Sequence, residues 1–375
     1  MRIAIITTSR IPSTTANSIQ VIKVAQSYAQ LGHKVSIILP SNRKIKLDDI
    51  SKTYGVEADL EIKSFPSIKI LKRYDFFLLI WLYLIFNKID LVHTWLPQVA
   101  TLASRSKVPY LMELHGLPTG RFGPSMMKKL LNSKGKRVFL IITDALKKLY
   151  EERFIYQFEL EELIIAPNGV EIQRYSEHPD KKEIRNKINL DNRFLAVYTG
   201  HLYPGRGMEL MVELAKLTPQ IQYLWIGGVP KDVEYWRNLI KVEKIPNIML
   251  TGFMSHHLIP DFQSAADVLL MPYQTNIEGS GGGNSVEFCS PMKMFEYMAA
   301  GRPIIASDLP ILHEVLNHNN AFFCKHDDVA EWVKTINFVA EKPSEAEKKA
   351  EKAKSDVKQF TWLNRARRSL EKLGL

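Results

Sequence analysis

Two charged side chains, Lys293 and Glu296, interrupt the otherwise apolar stretch between Ser290 and Gly301 in segment 290–307, SPMKMFEYMAAGRPIIAS. Three residues apart on a helix, they share one face. Burying an ammonium and a carboxylate is costly unless each finds a partner. Either the two pair internally, or both look toward a ligand at the helix N-terminus, where backbone N–H groups and the helix dipole favour an anion. In the second reading Lys293 meets a phosphate and Glu296 accepts hydrogen bonds from a sugar diol. Ser290 is placed to cap this helix, and Pro291 suits its first position. Gly301 suits a left-handed stop, and Pro303 prevents resumption.

Other residues add to this chemistry. Arg206 stands between Gly205 and Gly207 after a strand, so its guanidinium can reach a diphosphate while the glycines permit close backbone approach. His115, followed by Gly116, closes the expected strand 108–114, and His93 closes the strand 90–93. The carboxyl ends of strands are where ligands approach in parallel sheets, and His115 is the better placed of the two. The glycine run 279–283 is a further loop candidate. No Asp-x-Asp occurs, so no divalent metal is expected on a diphosphate; Arg206, Lys293 and a helix N-terminus supply the positive charge instead. The G-x-G-x-x-G fingerprint is absent, which argues against a dinucleotide cofactor.

These residues need a scaffold, and the chain alternates accordingly. A strand at 2–8, a polar loop to Ser18, a helix at 19–32 and a strand at 34–40 form a right-handed parallel βαβ unit. Strands at 139–143 and 163–166, with a helix at 144–152 between them, lead to the turn Pro167-Asn168-Gly169. After a charged connector at 171–192 the pattern restarts, with strands at 194–199, 222–226, 247–251 and 268–272 and a helix from Met208. Two doubly wound α/β domains, 1–168 and 169–358, follow, with the site expected in a cleft between them. Segment 341–358, rich in Glu, Lys and Ala, reads as a solvated helix.

The most apolar run, FFLLIWLYLIF at 76–86, has eleven residues, whereas a bilayer crossing takes roughly 20. It reads as a core helix. The alternative is a helix lying in a membrane interface, which its basic flanks Lys72, Arg73 and Lys88 and its Trp and Tyr would suit. Segment 126–137, MMKKLLNSKGKR, is a second basic-apolar candidate for lipid contact.

A chain of 375 residues is comfortable for two domains, and 46% hydrophobic with 24% charged residues is ordinary for a globular protein. Its two cysteines, Cys289 and Cys324, lack CxxC or metal spacing and fit free thiols in a reducing compartment. The apolar start is too short for a signal peptide and reads as a strand. Residues 1–170 carry 24 Lys and Arg against 14 Asp and Glu, while residues 171–375 carry 26 of each. A basic first half points to an anionic membrane surface. Nucleic acid is not expected as a partner, because no zinc finger, RNA-binding aromatic signature or continuous basic helix appears.

GHLYPGRG, LWIGG, LTGF and SPMKMFEYMAAGRPIIAS, with the earlier PNGV and QLGHKVSIILP, resemble the family 4 retaining glycosyltransferases of the GT-B fold. The resemblance implies two Rossmann-like domains, a nucleotide-sugar donor in the second and an acceptor in the first. It also implies no metal or cofactor, and a final helix at 359–375 that crosses back onto the first domain. By resemblance Glu296 holds the donor's ribose hydroxyls, Ser290 and Lys293 sit by the phosphates, Phe253 by the base, and His115 lines the sugar site. Arg206 matches the lysine of an arginine-then-lysine diphosphate clamp, and His201 stands where the arginine belongs. The family's E-x7-E pattern is broken, since Phe288 occupies the first glutamate's place. Glu287, one position off, or Glu278 in the glycine loop stands in after a register shift, or backbone N–H groups hold the sugar unaided.

The expected function is metal-independent, retaining transfer of a hexose-type sugar from a nucleoside diphosphate to a lipid-linked or cell-surface glycan precursor, at the cytoplasmic face of a membrane. The residues expected to act in catalysis are His115, Arg206, Lys293 and Glu287. Those expected to bind donor are Glu296, Arg206, Ser290, Lys293, Phe253 and Gly205. Two other classes stay open on this architecture, a nucleotide-sugar epimerase and a non-catalytic scaffolding subunit.

Overall fold

The computed structural model describes residues 1–71, 73–176, 181–190, 192–277 and 284–375, which leaves Lys72, Glu278 and the glycine run 279–283 outside the described residues. The chain forms two compact units, Met1–Asn168 with Trp362–Leu375, and Gly169–Thr361.

The first unit is a seven-stranded parallel sheet of β1 (Arg2–Ile6), β2 (Lys34–Pro40), β3 (Glu61–Phe65), β4 (Leu91–Thr94), β5 (Tyr110–Leu114), β6 (Arg137–Ile141) and β7 (Leu163–Ile165), in the order β3-β2-β1-β4-β5-β6-β7. β4 and β5 are buried at every position, as expected of strands covered by helices on both faces. The helix Ala16–Gln30 starts at Thr15, whose side chain accepts a hydrogen bond from the Ser18 N–H. The C-terminal helix Trp362–Lys372 packs against it. Arg365 on that helix reaches the buried Glu113 of β5 with both terminal nitrogens, each at 2.6 Å.

The second unit is a six-stranded parallel sheet of β8 (Leu195–Thr199), β9 (Gln222–Ile226), β10 (Ile248–Gly252), β11 (Val268–Met271), β12 (Ile304–Ser307) and β13 (Phe322–Cys324), ordered β10-β9-β8-β11-β12-β13. Its core gathers Trp225, Trp236 and Trp332 with Tyr198 and Tyr223. Strand order reverses between β1 and β4 in one sheet and between β8 and β11 in the other. Such switch points open a crevice at the strands' carboxyl ends.

Several expectations change. The helix Tyr74–Phe86 is not a core helix. It buries Phe76, Ile80 and Leu84 and leaves Tyr74, Leu78, Trp81, Leu82, Ile85 and Phe86 exposed, because a helix apolar all round can press only one stripe onto a sheet. The helix Pro343–Asp356 is not fully solvated either, since Ala346, Ala350 and Ala353 form a buried stripe. Small alanines let it dock despite its charge. The edge strands β3 and β13 had no expectation; β3 is polar and β13 has only three residues. In segment 126–137, Met127, Leu130 and Leu131 are buried while Lys128 and Lys129 are exposed.

Candidate functional site

The helix Met292–Ala300 follows the loop after β11 and leads into β12. Its N-cap position is Pro291, with no side-chain cap, so Ser290 does not cap it; Ser290 lies buried just ahead of the first turn. Gly301 ends the helix in the left-handed region at φ 63°.

Lys293 and Arg206 come together through glycine. A Cβ on Gly205 (φ +82°) would lie 1.8 Å from the Asn276 carbonyl oxygen, and one on Gly207 (φ +79°) 1.9 Å from that of Pro272. Only glycine lets the loop after β8 press so closely on the loop after β11. The Arg206 guanidinium then lies 4.9 Å from the Tyr273 ring centre, and the Lys293 amine 5.3 Å from the same ring and 3.7 Å from that of Tyr198. These are cation–π distances. The Lys293 Nζ is buried and has no hydrogen-bond partner among the described residues. Burial, then the charge of Arg206, push its pKa well below that of an ordinary lysine, with Glu296 opposing. The internal Lys293–Glu296 pairing weighed from the sequence is absent among the described ion pairs.

Glu296 is engaged elsewhere. Its Oε1 lies 3.0 Å from His256 Nε2 and its Oε2 accepts from Gln263 Nε2 at 3.3 Å. Burial raises its pKa, but the His256 hydrogen bond, with Arg174 and Gln263, outweighs that, so the carboxylate is favoured. Gln263 is itself held by the Tyr175 hydroxyl at 2.7 Å and donates to Thr199 Oγ1 at 3.0 Å. His201, at the clamp's arginine position, stacks on Tyr203 with ring centres 4.5 Å apart. Burial and the neighbouring cations lower its pKa and favour the neutral ring.

The remaining expected residues are more dispersed. Phe253, past the end of β10, is 59% exposed beside a pocket of about 480 Å³ that Gly228, Val233, Arg237 and Thr251 also line. Glu287 is exposed on a turn and Phe288 is half-buried. Cys289 is a thiol whose pKa burial pushes up to about 11. Among the described residues no group of three or more His, Cys, Asp or Glu is arranged to hold a metal ion.

His115 belongs to the first unit, at the carboxyl end of β5. Its Nε2 lies 3.0 Å from Glu113 Oε2 and 2.9 Å from Gln20 Nε2. Glu113 also meets His93 Nε2 at 2.9 Å, and the Tyr28 hydroxyl meets His93 Nδ1 at 2.9 Å, so His93 is a buried structural residue. Burial raises the Glu113 pKa, but Arg365 and the two histidines outweigh it and hold the carboxyl well below the usual range.

Sequence reading missed Arg174, His256, Gln263, Glu113 and Arg365. One signal was present for His256: like His115, it closely follows a strand end.

The description "Glycosyltransferase Family 4" matches residues 18–174, and "Glycosyl transferases group 1" matches residues 180–356, together nearly the whole chain. The chain is similar to an alpha-galactosylglucosyldiacylglycerol synthase of Streptococcus pneumoniae, at 23% identity over 62% of this chain and 57% of that one. It is also similar to a processive diacylglycerol alpha-glucosyltransferase of Acholeplasma laidlawii, at 23% identity over 46% and 53%. The chain spans about a third to three fifths of the length of the curated relatives it matches. Among solved structures, Anabaena Alr3699/HepE in complex with UDP superposes over 100% of both chains with a TM-score of 0.77 at 15% identity, a likeness of fold.

Proposed function

The chain belongs to glycosyltransferase family 4, with a group 1 glycosyl transferase domain and the GT-B fold, and from that premise we propose that it moves a hexose-type sugar from a nucleoside diphosphate to an acceptor with retention. One observation carries the reading. Arg206 and Lys293 are two cations held on the faces of Tyr198 and Tyr273, and the lysine amine has no hydrogen-bond partner among the described residues.

A diphosphate leaves with negative charge while the anomeric carbon develops oxocarbenium character. Cations already fixed in a low-dielectric site stabilise that separation without reorganising. The first turn of the helix Met292–Ala300, preceded by Ser290, adds backbone N–H groups. The acceptor hydroxyl forms its bond to the anomeric carbon on the face from which the diphosphate departs. The carbon–oxygen bond to phosphate breaks, and the hydroxyl proton passes to the leaving phosphate oxygen. No enzymic nucleophile takes part. Glu296 holds the ribose diol and Phe253 stacks on the base. In the first unit, His115 meets a hydroxyl of the sugar substrate through Nδ1, since Nε2 donates to the Glu113 carboxylate. Two resident cations supply the charge a divalent ion would bring, so turnover is expected to survive a chelator.

HepE was crystallised with UDP and with UDP-glucose, which supports testing uridine donors first. The diacylglycerol-directed names of the curated relatives support a lipid-linked acceptor. The first unit carries 28 Lys and Arg against 15 Asp and Glu and exposes one apolar helix face, which supports work at the anionic cytoplasmic face of a membrane.

The test is thermal unfolding of wild type and Glu296→Ala with UDP, GDP, ADP, TDP and their sugars. One nucleotide at a hundred times its Kd should stabilise wild type by about 2.7 kcal/mol, and the variant much less. No shift with any nucleotide would overturn the donor site. Donor isomerised without transfer would favour an epimerase.

A further inference from the structure

We propose that His256 is the positioning residue for Glu296: it aims the carboxylate at a nucleotide's ribose diol and so sets discrimination for ribose over deoxyribose. The inference rests on the reading of Glu296 given above.

The contacts fix the direction of each hydrogen bond. Arg174 Nη1 lies 2.9 Å from His256 Nδ1, and Arg174 Nη2 donates to the His256 carbonyl oxygen. A guanidinium has only donors, so Nδ1 must be the accepting nitrogen of the ring. The proton of the neutral imidazole therefore sits on Nε2, which donates to Glu296 Oε1 at 3.0 Å. Arg174 is restrained in turn by Glu171 at 3.6 Å. From the other side Gln263 donates to Oε2.

Each carboxylate oxygen thus spends one acceptor direction on the protein and keeps one. Two acceptor directions on adjacent oxygens of one planar group match the two hydroxyls of a vicinal diol. Without His256 the carboxylate gains freedom to rotate, and one oxygen loses its partner in a site where Glu296 is only 14% exposed. His256 touches no reacting atom in this scheme. It acts through Glu296, so its effect falls on donor recognition rather than on the bond-breaking step.

The experiment compares the Kd of UDP with that of 2′,3′-dideoxy-UDP, by titration calorimetry, for wild type, Glu296→Ala, His256→Phe, His256→Gln and Arg174→Met. Phenylalanine keeps the ring shape without the N–H. Glutamine can place an N–H near the position of Nε2. Wild type should favour UDP by roughly tenfold or more, a net worth typical of hydrogen bonds to a charged group. Glu296→Ala and His256→Phe should bring the ratio near one, with His256→Gln restoring most of it. Arg174→Met should lower the ratio in the same direction by a smaller factor, and it serves as the second probe if His256→Phe does not fold. The sugar-transfer kcat should change less than KM.

A wild-type preference lost in Glu296→Ala but kept in both His256→Phe and Arg174→Met would overturn the role of His256 and leave that of Glu296 standing. No preference in wild type, or a preference kept in Glu296→Ala, would overturn both.

Discussion

Lys293 makes the sharpest single-residue case. Its amine faces aromatic rings and the charge of Arg206, and burial is the largest influence lowering its pKa well below 10.5. A lysine whose folded pKa lies below its unfolded one penalises folding. That penalty is full below the folded pKa and disappears as pH rises through 10.5. Lys293→Met, free of nucleotide, should therefore unfold at a higher temperature than wild type near neutral pH, with the gap narrowing as pH approaches 10.5. Scanning calorimetry over a pH series measures this, and a variant less stable at neutral pH would contradict it. The same variant should bind a nucleoside diphosphate about ten- to a hundredfold more weakly, because a charge-assisted contact to phosphate is lost. The spacing of Lys293 and Glu296 was legible in the chain, as was the glycine bracket of Arg206. Their partners were not, because His256 and Gln263 stand 40 and 33 residues from Glu296 and no local pattern links them.

The C-terminal helix Trp362–Lys372 is the element with most at stake in one contact. Arg365 meets the fully buried carboxylate of Glu113 in a two-pronged pair, and Glu113 also bonds His93 and His115. Removing the cation strands a buried charge, which typically costs about 3–5 kcal/mol. Arg365→Met should lose that much in denaturant unfolding, and adding Glu113→Leu should recover a large part. Because the Glu113 pKa is lowered in the fold, its contribution is present above about pH 4.5 and lost as pH falls below that. The wild-type advantage over the variant should shrink over that range. A crossing final helix came from family resemblance, but its lock did not, since neither Glu113 nor Arg365 looks unusual in its own stretch. The helix Met292–Ala300 taught the reverse lesson. Its apolar body and Gly301 stop were plain, whereas its start lies a residue later than expected, with Pro291 at the cap position.

For the molecule as a whole, charge and exposed apolar surface coincide on one unit. The first unit holds a surplus of positive charge and the helix Tyr74–Phe86, whose Tyr74, Leu78, Trp81, Leu82 and Ile85 recur at helical spacing on an exposed face. Among the described residues no helix is long and apolar enough to cross a membrane. Anchoring flat on a surface needs less length, and basic residues add about 1 kcal/mol each near an anionic bilayer. The protein should sediment with phosphatidylglycerol-rich vesicles at low salt and release as salt rises. Trp81→Ser with Phe86→Ser should weaken that binding by roughly tenfold while leaving the nucleotide-induced thermal shift intact. Equal binding to zwitterionic vesicles, or none to anionic ones, would contradict the membrane reading.

By itself the sequence determined the alternation of strand and helix, the restart that separates two doubly wound sheets, and the loop and helix that carry the two cations. Those features are written in short-range periodicity, glycine placement and chain order, all of which act locally. The tertiary structure decided which face of the helix Tyr74–Phe86 stays in solvent, which histidine orients Glu296 and which arginine neutralises Glu113. The last of these contacts joins residues 252 positions apart. Such partners are chosen by what the folded sheets bring within reach, under the penalty for burying an unpaired charge.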